Sequence, residues 1–266
     1  MLLDFSRLGI LRYILSAIGI VVGLFLLLPI MLIVAISFGS SRWLQFPPPS
    51  WTLKWYREIF ADSDWLASFL TSLEIALCVM VLATVIGLMA SFALTRGRFF
   101  GRELLRAFFL TPMVLPVVVL AVALYALFLR LHLNGTFIGF VIAHLVVALP
   151  FAIISISNSL ERFDKAIEDA AVLCGASPLE AKLRVTLPAI KLGIFGAAIF
   201  SFLASWDEVV IAIFMASPDL QTLPVRIYST LRQDLSPVIA AVSSILVGFT
   251  IALMLLAALL RKDTTP

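Results

Sequence analysis

Two adjacent carboxylates, Asp207 and Glu208, lie inside an otherwise apolar run over 192–215, directly after Trp206. A carboxylate in hydrocarbon costs about 2.5–3.5 kcal/mol on the insertion scale, so such a pair needs a compensating role. One role is an acidic collar that helps a cation cross, with the Trp206 ring offering its face to an ammonium group. The other is a structural pair bonded to backbone or to a basic residue of a partner subunit. Neighbouring helical positions point about 100° apart, so both acids cannot face one narrow pathway.

Other chemistry is excluded by residue type and spacing. His132 and His144 are the two histidines, 12 positions apart and without a flanking cysteine, so no metal site is expected. His144, inside an apolar run, reads as a structural histidine or as a substrate ligand. Cys78 and Cys174 have neither framework number nor ligand spacing and are expected as reduced thiols. No GxxxxGK[ST] phosphate loop occurs, and no Gly-Lys pair, so ATP phosphates cannot be cradled here by that device and no cofactor is expected on this chain. The serines lack a histidine and an acid in any motif, which leaves no case for a hydrolase.

The elements that carry these residues must be membrane helices. Of 266 residues 62% are hydrophobic and 13% charged, against about 25% charged in soluble domains, and the mean hydropathy is +1.12. No polar block is long enough to be a separate domain. The net charge of +3 forms no patch, so nucleic acid is not an expected partner. Hydrocarbon about 30 Å thick needs roughly 20 helical residues. The charge-free gaps predict an all-α, polytopic chain of six transmembrane helices in one domain, over about 13–38, 68–95, 105–129, 136–157, 190–215 and 236–260.

An even number of crossings leaves both termini on one side. Placing them in the cytoplasm gives that side 13 basic residues and the outside six, as the positive-inside rule requires. The first apolar run is too long for a signal peptide and is expected to stay as helix; Gly19 and Gly23 give it a GxxxG spacing. Trp43, Trp51, Trp55, Tyr56 and Trp65 crowd the first outside loop, either at headgroup level or packing a short helix onto the surface.

The cytoplasmic segment 158–188 is built as two short helices. Asp164 can cap the first, which ends at Gly175. Ser177, Pro178 and Glu180 then give an N-cap, a proline at N1 and an acid at N3. Ile167, Ala171 and Cys174 form an apolar strip opposite Glu161, Asp164, Glu168 and Asp169, so one face is free to bury against a partner.

Within it, Asp169-Ala170-Ala171, three residues, Gly175, nine residues, Val185, one residue and Leu187-Pro188 resemble the EAA signature of ABC importer permease subunits. Asp169 replaces the usual Glu and Val185 the usual Ile. The resemblance extends to Thr111-Pro112-Met113-Val114-Leu115-Pro116, Leu149-Pro150-Phe151, Ser205-Trp206-Asp207-Glu208-Val209-Val210 and Thr222-Leu223-Pro224, which look like the second permease of spermidine/putrescine-type importers. The resemblance implies a type I importer fold in the bacterial inner membrane. It implies inward transport of a polyamine or other organic cation, a sister six-helix permease and a periplasmic binding protein. Two ATPase subunits would hold the ATP and magnesium. It places ATPase coupling on Glu168, Asp169, Ala170, Ala171, Gly175, Val185, Leu187 and Pro188, and the substrate pathway at Trp206, Asp207 and Glu208. The residues alone leave two rivals: a carrier driven by an ion gradient at Asp207 or Glu208, and a membrane scaffold without a pathway.

Overall fold

The structure, a computed structural model, describes residues 10–233 and 236–262, with side chains over 11–233 and 236–251. Lipid offers a backbone no water to bond, so each apolar run satisfies its own N–H and C=O groups as helix. Among the described residues there is no strand, and β pairing is limited to two isolated bridges, Gly39–Trp51 and Ser217–Leu220. Three helices are long and apolar enough to cross a membrane, or five if each of two bent pairs makes one span. The chain divides into two units, Met1–Leu66 with Ser229–Pro266, and Ala67–Tyr228.

The first unit holds α1 (Ile10–Ser37), α2 (Lys54–Ala61) and α13 (Pro237–Lys262). Pro29 lies inside α1 without ending it. Most leucines and isoleucines over 11–33 are exposed, as is Gly19, while Gly23 is half-buried; an added Cβ at either glycine would meet nothing within 4 Å. The aromatic residues of the loop after α1 divide into two groups. Trp43 and Trp51 are exposed, whereas α2 buries Trp55 and Ile59. The Trp55 Nε1–H donates to the Gly39 carbonyl at 2.6 Å, and Tyr56 stacks on Phe38 at 5.1 Å. Arg7, one of the basic residues counted toward the cytoplasmic side, and Asp234, which precedes the last apolar run, lie outside the described residues.

The second unit is built around α6 (Phe137–Arg162), whose Phe140, Ala148, Ala152, Ile156 and Leu160 are buried. The long helix α3 (Ser63–Arg96) reaches it where an added Cβ at Gly87 would lie 2.7 Å from that of Ala152, and where Ser91 donates to the Ile153 carbonyl at 3.1 Å. Expected as one helix over 105–129, the next segment is two: α4 (Arg102–Val114) and α5 (Val117–Arg130), bent by 107°. Pro116 has no N–H to give and forces Leu115 out of the helical region, to φ −71° and ψ 141°. Pro112 and Pro150 sit inside α4 and α6 without breaking them.

Expected as one helix over 190–215, the fifth element is also two, α10 (Lys191–Trp206) and α11 (Val210–Met215). Four short pieces separate it from α6. These are α7 (Lys165–Leu173), α8 (Pro178–Ala181), a π turn (Lys182–Thr186) and α9 (Leu187–Ala189). After α11, the chain continues into α12 (Leu223–Gln233), whose first N–H, on Leu223, is held by Ser72 Oγ at 2.7 Å.

The seam between α6 and α10 is lined by small residues, as close helix approach in lipid requires. Ser155 donates to the Gly193 carbonyl at 2.9 Å, and Cβ atoms added at Gly193 would come within 2.5 Å of the Ser159 Cβ. Even one methyl there must push the helices apart. Gly193→Ala is therefore expected to destabilise the detergent-purified chain by about 1–3 kcal/mol, the usual cost of overpacking. Gly19→Ala meets no neighbour and removes a helix-weakening glycine, so its thermal midpoint should equal or exceed that of the parent. Equal midpoints for the two variants would refute the close seam.

Candidate functional site

The segment 158–188, expected on the cytoplasmic side, folds as a hairpin of two capped arms. Asp164 accepts from the Ala166 N–H at 2.9 Å and starts α7. Its end is a Schellman motif: Gly175, at φ +97°, donates to the Val172 carbonyl at 3.0 Å, and Ala176 donates to the Ala171 carbonyl at 3.1 Å. The left-handed backbone at this position explains the glycine. Two residues on, the expected capping box is present, with Glu180 N–H donating to Ser177 Oγ at 3.2 Å and Ser177 N–H to Glu180 Oε2 at 3.0 Å.

The Ser177 N–H, and then its hydroxyl, hold the Glu180 carboxyl below the usual carboxylate range. A lowered folded value means that the box contributes its stability above the unfolded carboxylate pKa and loses it as pH falls through the folded one.

Proline shapes the second arm. Pro188 has no N–H, and its ring would strike the carbonyl four residues back, on Arg184. The helix widens instead into the π turn, with the Leu187 N–H reaching the Lys182 carbonyl. Lys182 places its Nζ 5.9 Å from the Phe92 ring of α3.

The two neighbouring acids of α7 part company. Asp169 is exposed and lies 3.9 Å from Lys165, while Glu168 is buried and its Oε2 accepts from Thr186 Oγ1 at 2.6 Å. Ala170, Gly175 and Pro188 are exposed, and Ala171, Val185 and Leu187 are half-buried. The apolar strip expected from Ile167, Ala171 and Cys174 is open at Ile167 and Cys174 and continues through Leu173, 89% exposed, and Leu179, 65% exposed. Thr186 carried no signal in the sequence beyond its place before Leu187-Pro188.

Arg96 is a second residue whose role the sequence does not disclose. Counted above only as a cytoplasmic charge, it donates from Nη2 to the Leu160 and Phe163 carbonyls at 2.8 and 2.7 Å. These belong to the last turn of α6 and its C-cap, where helix carbonyls lack internal partners. The hairpin therefore leaves α6 from a joint that α3 holds.

At the other end of α10, the acids sit at a break and not within a continuous helix. Asp207 is the C-cap of α10, and Glu208 Oε1 accepts from the Ile211 N–H at 2.8 Å, at the start of α11. Their cost is met in part by orphaned backbone, because helix ends supply the donors that a helix interior lacks. Asp207 is exposed and its carboxylate has no hydrogen bond or ion pair among the described residues; Glu208 is half-buried. Trp206 stacks on Phe202 and meets Phe69 edge to face, both at 5.6 Å, so neighbouring rings already occupy part of its surface. His144, buried, pairs its Nδ1 with Ser205 Oγ at 2.9 Å across the α6–α10 seam. Among the described residues no group of three or more metal-ligating side chains occurs.

Known proteins share this chain's sequence and fold. It is 29% identical over 245 residues to the spermidine/putrescine transport system permease protein PotC of Escherichia coli (strain K12), covering 91% of each chain. It is 32% identical over 231 residues to the putrescine transport system permease protein PotI of the same organism, covering 84% of this chain and 82% of that one. The sulfoquinovosyl glycerol transport system permease protein SmoH of Agrobacterium fabrum is 29% identical over 223 residues, at 82% and 77% coverage. A bacterial ABC transporter involved in the import of the acidic polysaccharide alginate has a chain of the same fold, with a TM-score of 0.71 over 97% of this chain and 98% of that one at 17% identity.

Neither an ion-driven carrier nor a scaffold fits these matches, and residues 83–265 carry the family's sequence: the chain belongs to the binding-protein-dependent transport system inner membrane components, as a permease of the ABC importer type.

Proposed function

We propose that this permease moves a polyamine or other organic cation into the cytoplasm, using ATP and magnesium held by two separate ATPase subunits. A sister six-helix permease completes the pathway, and a periplasmic binding protein delivers the solute. The chain crosses the bacterial inner membrane six times with both termini in the cytoplasm, the orientation that its basic residues favour.

The observation that carries the coupling half of this reading is the doubly capped hairpin with its open apolar strip. Exposed leucines on a rigid cytoplasmic projection cost solubility unless a partner covers them. Ile167, Leu173, Cys174 and Leu179 present that surface, and the Schellman turn at Gly175 sets the angle between its two arms. On this reading Asp169, Ala170 and Ala171 lie at the docking face, and Val185, Leu187 and Pro188 form the root of the second arm. Co-purification with an ATPase and a sister permease tests the assignment directly.

The cationic solute rests on Asp207, an exposed carboxylate without a partner among the described residues, and on two relatives named for spermidine and putrescine. Glu208 supports the break in the helix, and Trp206 borders it.

Gly175→Val should uncouple the complex. No neighbour obstructs a side chain there, so the penalty is backbone strain, on the order of 1–2 kcal/mol for a β-branched residue in the left-handed region. Solute-stimulated ATP hydrolysis in the reconstituted complex should fall, membrane insertion should persist, and Gly175→Asn, which tolerates that backbone, should keep more of the stimulation. Full stimulation in the valine variant would remove Gly175 from coupling.

The acids separate in a second experiment. Asp207→Asn keeps size and hydrogen-bonding capacity yet removes charge, so uptake of a cationic solute should drop severalfold with complex yield unchanged. Glu208→Gln retains an oxygen for the Ile211 N–H, whereas Glu208→Ala strands that donor and should cost about 0.5–2 kcal/mol of stability, as the loss of a helix cap does. Uptake and detergent-extracted yield measured on the same preparations decide the matter: unchanged uptake in Asp207→Asn would sink the cation pathway.

A further inference from the structure

Glu168 is a carboxylate 8% exposed in a hairpin whose other acids face water. Among the described residues it has no basic partner. Its hydrogen bond comes from Thr186, which is itself fully buried and lies 18 positions along the chain, on the opposite arm. Thr186 ends the π turn, and its own carbonyl accepts from the Ile190 N–H at 3.0 Å, at the N-cap of α10. One residue is thus bonded by its side chain to α7 and by its backbone to the start of the helix that ends at Trp206.

We propose that the Glu168–Thr186 hydrogen bond is the link that fixes the docking helix α7 to the root of α10, which makes both residues positioning residues for coupling and not contacts of the ATPase. The inference rests on the docking reading above. Three features support it. The bond is buried, so water does not compete for either partner, and loss of one partner leaves the other unsatisfied. It closes the hairpin at the π turn, where the α-helical ladder is interrupted and the side-chain tie joins the two arms. And α7 presents Ile167 and Leu173 outward on the same short helix that presents Glu168 inward, so a displacement of the docking face moves the carboxylate with it. Without the tie, α7 can shift on its partner while α10 stays where it is.

The test uses the whole complex of permeases, ATPases and binding protein, reconstituted in lipid vesicles with spermidine as the solute and with ATP hydrolysis and solute uptake measured together. Thr186→Val keeps the shape of the side chain and removes its O–H. It should raise the ATP consumed per spermidine imported by about fivefold, the factor that one hydrogen bond of ordinary strength commands. The ATPase should still co-purify in the normal ratio. Thr186→Ser, which keeps the hydroxyl, and Glu168→Gln, which keeps an oxygen acceptor, should stay near the parent ratio. Glu168→Ala with Thr186→Val should be no worse than either alone, as expected for two ends of one interaction.

An unchanged ratio in Thr186→Val would overturn the proposal. So would Thr186→Ser failing as badly as Thr186→Val, since shape and not the bond would then matter. Loss of the ATPase from the Thr186→Val complex would overturn it in favour of a folding or direct docking role. If the parent complex holds no ATPase, or shows no solute-stimulated hydrolysis, the docking reading itself fails, and it does so before any variant is compared.

Discussion

Backbone satisfaction in a solvent that cannot hydrogen-bond is the constraint on which the rest of this structure depends. An uninterrupted helix meets it without help, and α1, α3 and α6 are long because nothing stops them. Each place where the chain stops being helix leaves orphaned N–H and C=O groups, and at several of these places a named side chain attends to them. Arg96 serves the end of α6, Glu208 the start of α11, Ser72 the start of α12, and Asp164 and Ser177 the two arms of the hairpin. The polar residues that stand out in an apolar sequence are therefore mostly found at helix ends.

That distribution also explains which parts of the molecule the sequence discloses. Apolar length and charge spacing suffice for the helices themselves, because both follow from hydrocarbon thickness and the price of a charge within it. The hairpin was legible in more detail, down to the capping box and the glycine that ends the first arm, because those motifs depend on residues three to six positions apart. The breaks were not. A proline such as Pro29 or Pro150 is carried inside a helix, whereas Pro116 ends one with a 107° bend. No local pattern separates the prolines that a helix carries from the one that ends it.

The acids show the same limit more sharply. An Asp-Glu pair in an apolar run reads as two charges inside a span, and the alternation of a continuous helix would then aim them in different directions. The structure ends α10 at Trp206, which turns Asp207 into a cap position and gives the Glu208 carboxylate a backbone donor. Glu168 and Asp169 repeat the lesson in the hairpin. Both lie on the charged side of the helical pattern, yet one is buried on Thr186 and the other open to water, a distinction set by a residue on the second arm.

These end-capping contacts also define how parts of the second unit can move together. The guanidinium of Arg96 ties α3 to the joint between α6 and α7, and the Thr186 backbone ties the hairpin to α10. The tight seam of Gly193 against Ser155 and Ser159 then makes α6 and α10 one piece over the half nearest the hairpin. A packed seam of this kind transmits displacement because it has no slack to absorb it. The break at Asp207 is different in kind: three residues lie between two helices, outside the ladder that stiffens either one. The position where the Asp207 carboxylate is exposed is thus also the position where the ladder of α10 stops, and both properties follow from ending that helix at Trp206.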